Sequence, residues 1–126
     1  MKRVLFASLA LTFSLSAMAQ EVMDDGSMVI LPVEAQQCNL PSAPPPIPES
    51  PEKSDLISAQ KMVKAFQADM ATYRDCVNQY AESPDSTMGN KQAISNAHNY
   101  SVEMEERVAS LFNDAVRAYK ASIAKG

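Results

Sequence analysis

The 126-residue chain has no tryptophan, a single histidine, two cysteines and three glycines. So little glycine excludes the phosphate-cradling loops of nucleotide-binding folds and argues against a β-sandwich or barrel, whose many turns need it. One histidine, His98, leaves no pair for a metal, and Asn96 and Asn99 beside it mark a solvated helical position. No catalytic residue and no metal or other cofactor is expected. The basic stripe that a phosphate backbone requires is also missing: the net charge is −4, and from Glu52 onward nine bases meet ten acids. That balance excludes nucleic acid as a partner.

The first residues form an address. Lys2 and Arg3 precede an apolar run from Val4 to Ala10, extended by Leu11, Phe13 and Leu15, and Ala17-Met18-Ala19 completes a small-x-small cleavage signal. This reads as a secretory signal peptide, residues 1–19, cleaved after Ala19. The run is too short to anchor in a bilayer, where about 20 residues are needed, and no second one follows, so no stable membrane insertion is expected. Gln20 occupies the position where a lipoprotein would carry its cysteine. Cleavage removes two positive charges from a chain of net charge −4 and leaves −6. The expected location is the periplasm or the exterior.

Two cysteines in a small exported chain predict one disulfide, Cys38 to Cys76. The mature chain then divides in three. Residues 20–37 carry four acids, no base and a short apolar patch, Met28 to Leu31; they are expected to be partly disordered, with the patch docking on the rest or meeting a partner. Residues 38–51 hold six of the eight prolines and predict a polyproline II segment. Its PxxP spacings are explained by packing within the chain. Residues 52–126 contain one further proline, Pro84, and read as a helical hairpin.

Ser50-Pro51 resembles an N-cap followed by proline at the first helical position. From there Leu56, Ala59, Val63, Phe66, Met70, Tyr73, Val77 and Tyr80 recur at alternating spacings of three and four, a heptad seam. Pro84 places the end of this helix near Glu82 or Ser83. Asp85, Ser86 and Thr87 offer caps for a second helix, whose seam is Ile94, Ala97, Ser101, Met104, Val108, Leu111 and Ala115. Reversal at Pro84-Asp85 sets Val77 against Ile94, Met70 against Ser101, Val63 against Val108 and Ala59 against Leu111. The fold class is therefore all-α: an antiparallel, coiled-coil-like two-helix hairpin. In polyproline form residues 38–51 reach about 40 Å, and the helix from Pro51 to Cys76 rises about 38 Å. The segment is thus expected to lie antiparallel along the first helix, strapped down by the disulfide.

The ordered set Cys38, the prolines of 41–51, Ala59-Gln60-Lys61-Met62-Val63-Lys64-Ala65-Phe66, Tyr73-Arg74-Asp75-Cys76 and Phe112-Asn113-Asp114-Ala115-Val116-Arg117-Ala118-Tyr119 resembles small exported proteins of Gram-negative bacteria with a Cys/Pro-rich start and a disulfide-linked helical hairpin. The resemblance implies the same disulfide and compartment. The group is uncharacterised and carries over no activity.

The hairpin leaves something over. Phe112, Val116, Tyr119 and Ile123 form a second stripe, spaced four, three and four, which needs a cover. The candidates are the Met28–Leu31 patch folding back, a second copy, or another protein; otherwise the stripe is simply exposed. Six methionines follow the leader, but without Met-x-x-Met or Met-x-Met spacing they predict core filling rather than copper handling. Glu103, Glu105, Glu106 and Arg107 read as a solvated face. Asn99-Tyr100-Ser101 fits a glycosylation sequon, but the leader looks bacterial. The functional expectation is an exported, non-enzymatic interaction protein whose partner-binding residues are Phe112, Val116, Tyr119 and Ile123. Its partner would be an envelope protein or a second copy of itself. The alternative is a periplasmic chaperone-like holder of unfolded clients.

Overall fold

The computed structural model describes residues 21–125; the expected signal peptide, residues 1–19, lies outside them. Two helices pack against each other, α1 (Lys53–Asn78) and α2 (Met88–Ala124). All eight α1 seam residues are buried or half-buried, and Met70 and Val77 are wholly enclosed. Among the α2 seam residues Ile94, Ser101 and Val108 are buried, and Ala97, Met104 and Ala115 half-buried. The pairing is antiparallel in the expected register: Ala59 and Val63 share the walls of one cavity with Met104, Val108 and Leu111.

Leu111 departs from its seam role and is 60% exposed. It projects into the crevice between α2 and the proline segment, beside Pro46 and Ile47, rather than between the helices.

The helix ends also differ from expectation. Glu52, not Ser50, is the N-cap of α1: the Asp55 carboxylate accepts from the Glu52 backbone N–H at 2.8 Å, and Pro51 is buried just before the helix. Here an Asp three residues on outcompetes a Ser-Pro signal, because it supplies an acceptor at the positive helix end. The helix stops at Asn78, ahead of Pro84. Three-residue turns, Tyr80 N–H to Val77 C=O, Ala81 N–H to Asn78 C=O and Ser83 N–H to Tyr80 C=O, carry the chain onward. They keep Tyr80 packed on the core although it lies outside the helix. α2 starts where Thr87 caps it: Thr87 and Asn90 exchange side-chain to backbone hydrogen bonds at 3.0 Å.

Residues 21–37, expected to be partly disordered, form a docked leader. Val22 and Met28 make an antiparallel bridge around Gly26, which has a φ of +85°. Its polar tie runs into α2. The Ser27 hydroxyl accepts the Gly89 N–H at 2.8 Å and donates to the Asp25 carboxylate at 2.6 Å. That hydrogen bond, with a second from the Ser27 backbone, holds the Asp25 carboxyl below its usual range. Asn90 donates its side-chain amide to the Ile30 carbonyl at 2.8 Å. Leu31 and the buried Ala35 then join the core around Phe66, Met70, Tyr73 and Val77.

The Met28–Leu31 patch therefore docks at the loop end of the hairpin, not on the 112–123 stripe. The hydrogen bonds from Gly89 to Ser27 and from Asn90 to Ile30 hold it there, at the first turn of α2.

Gly89 makes the docking possible. A β-carbon at this buried position would overlap the Met28 carbonyl, which sits directly on the helix backbone. Gly89→Ala has opposite effects on the two parts: alanine raises intrinsic helix propensity by about 1 kcal/mol, while the leader loses its seat. Hydrogen exchange is expected to show loss of protection at Met23, Gly26 and Val29, whose N–H groups bond within the leader, with helical circular dichroism undiminished. Retained protection at those amides would contradict the close approach.

Candidate functional site

Cys38 and Cys76 are disulfide-bonded, with Cα atoms 5.9 Å apart. From this tie the proline segment runs antiparallel along α1: residues 43–47 lie against Ala59, Met62 and Val63, and Pro51 is buried at the helix start. Burial along it recurs every third residue, with Pro41, Pro44 and Ile47 half-buried while Pro45 and Pro48 are exposed. Of the two apolar edges that a threefold rod would present, the one carrying Ile47 is turned inward.

The segment covers one flank of the hairpin and roofs a cavity of about 170 Å³ at the groove between the helices. Sequence reasoning missed this cavity. Its signal was the exposed, apolar Met62 and Leu111, each on the edge of a seam facing the prolines. A second, wider cavity of about 390 Å³ lies at the loop end, between the leader and the turn joining the helices.

The opposite flank is polar at its centre. The Arg74 guanidinium pairs with the Glu105 carboxylate at 2.7 Å and donates to the Ser101 hydroxyl at 3.2 Å. Ser101 is fully buried and donates in turn to the His98 carbonyl at 2.6 Å. Glu105 is thus no part of a solvated face, although Glu103 and Glu106 are exposed. Arg74 and Glu105 each follow their seam by one residue, so an antiparallel pairing brings them to the same flank. That offset was the available signal.

Phe112 and Tyr119 succeed Glu105 at heptad spacing and extend this flank toward the free end of α2. Phe112, Val116 and Tyr119 are half-buried, and only Ile123 is fully open, at 59% exposure. The stripe is less exposed than expected, since a helix's own neighbouring turns shade its side chains. α2 has 37 residues against 26 in α1. In the observed register its last turns, from Tyr119 on, run past the start of α1.

Among the described residues no group of three or more His, Cys, Asp or Glu side chains is placed to hold a metal, and no helix is long and apolar enough to cross a membrane. The chain matches no family model, no curated protein and no solved structure.

Two measurements probe this arrangement. Closing a loop of 38 residues stabilises the folded state by about 4 kcal/mol in the chain-entropy model. The Cys38→Ser, Cys76→Ser double variant should therefore denature at markedly lower urea, and alkylation of the untreated protein should label neither cysteine. For the polar flank, a double-mutant cycle of Arg74→Met and Glu105→Gln should give a coupling energy of about 0.5–3 kcal/mol. Additive effects would mean that the pair does not interact in solution.

Proposed function

We propose that this chain is an exported, non-enzymatic interaction protein, acting in the periplasm or outside the cell. It would dock an envelope protein or a second copy through the free end of α2. The observation that carries the reading is the overhang: Tyr119 and Ile123 continue an apolar stripe beyond the reach of α1, where no other helix among the described residues covers them. Ile57 on α1, 48% exposed, lies on the same flank by heptad position and widens the apolar surface. Continuous apolar surface at a helix end favours a partner that removes it from water, at roughly 25 cal/mol per Å² buried.

The disulfide supports export, since such bonds persist in oxidising compartments. The composition supports a non-enzymatic role, with one histidine in the whole chain. We read the proline segment as a polyproline II rod; the three-residue recurrence of burial at Pro41, Pro44 and Ile47 favours this. Its part would be mechanical, holding the hairpin stiff while the end of α2 engages.

A photoreactive residue replacing Tyr119, activated in intact cells and followed by mass spectrometry, tests the proposal. A single adduct of fixed stoichiometry is expected, either with one envelope protein or at twice the chain mass. Absence of any adduct would defeat the docking reading. A ladder of many low-yield adducts would instead identify a holder of unfolded clients.

A further inference from the structure

We propose that the cavity beneath the proline segment binds the tail of a short unbranched alkyl carboxylate, with Arg107 holding its head group. This site is separate from the free end of α2 and does not depend on it.

The walls come from three places. Pro44 and Ile47 form the roof, Ala59 and Met62 one side, Met104 and Leu111 the other. The small Ala59 opposite the outward-turned Leu111 is what leaves the space: the seam pair expected to fill it does not interdigitate. At about 170 Å³ the cavity is close to the ~150 Å³ apolar cavity that stays dry and admits a six-carbon ring. It is too small for the larger ligands that pockets of roughly 300 Å³ and above accept. A slim chain burying about six carbons fits by that comparison. Two methionines among the walls, with flexible side chains, let the space adapt to such a chain.

The head group follows from charge. Every lining side chain is apolar except Arg107, which is solvent-exposed. It forms neither of the two ion pairs found among the described residues, Arg74–Glu105 and Arg117–Asp114. An apolar slot with one unpaired guanidinium at its edge suits an amphiphile whose single anionic group is planar, because guanidinium and carboxylate meet through two parallel hydrogen bonds. Met62, 40% exposed on the α1 wall, marks the side from which the tail enters.

The methionines are built-in reporters. In ¹H–¹³C spectra of the oxidised protein, titration with butanoate, hexanoate, octanoate and decanoate is expected to shift the methyl signals of Met62 and Met104 saturably. Met70, enclosed in the seam, and Met88, at the loop end, should stay unmoved. Affinity should rise by about fourfold for each added methylene and level off near six buried carbons. Arg107→Gln should weaken octanoate by about two- to fivefold, the range of an exposed ion pair, and leave octanol unchanged. The proposal fails if Met62 and Met104 show no saturable shift, if all methionines shift alike as in detergent association, or if octanol binds the native protein as tightly as octanoate.

Discussion

The Cys38–Cys76 bond sets the path of residues 38–51 and the point from which the leader departs. Two helices in contact bury a single seam and leave two flanks and two ends to water. Here the bond pins one end of the proline segment beside the last turns of α1, while Pro51 joins its other end to the helix start. Between those two fixed ends the segment lies along the flank of the hairpin. The leader departs from Cys38 at the loop end and is seated there by its bonds to Gly89 and Asn90. A domain this small gains little from its core alone, and a covalent tie that recruits more than thirty residues to the hairpin surface enlarges that core without a third helix.

The parts that were legible in the sequence are those written in short, repeated spacing. The heptads of Leu56 to Val77 and Ile94 to Val108 state both the helices and their register, and two cysteines leave only one pairing. What was not legible depends on contacts between residues far apart in the chain. Gly89 carries no local sign that the Met28 backbone will lie on it, 61 positions away. The helix start offered two competing caps, and the choice rested on Asp55 rather than on the more familiar Ser-Pro pair. The seat of the Met28–Leu31 patch is of the same kind, set by the bonds of Ser27 and Ile30 to Gly89 and Asn90, about 60 positions away.

The flanks differ in kind, and this follows from which residues sit next to each seam. On the side of Cys76 and Arg107 the prolines close over apolar side chains, and the closure is imperfect because Ala59 is small and Leu111 turns outward. On the side of Arg74 and Glu105 no described segment covers the groove, and a charged pair with a buried hydroxyl takes its place. Such a pair adds little stability when partly solvated, yet its geometry is demanding. Toward the free end the same flank turns apolar at Phe112, Val116 and Tyr119, so its character changes along its length from self-satisfied to unsatisfied.

Three separate devices then agree on one axial alignment. An apolar heptad seam alone is satisfied equally by slipping one helix along the other by seven residues, about 10.5 Å. That slip would carry Ser101 away from Arg74 and bury its hydroxyl against apolar side chains, and it would leave Arg74 and Glu105 without each other. It would also draw Gly89 from under Met28 and put a residue with a β-carbon in its place, while the disulfide keeps the leader where it is. Since the leader is bonded to α1 through Cys76 but seated on α2 through Gly89, it measures the offset between the helices directly. The acidic leader is therefore the piece that reads the register of the hairpin.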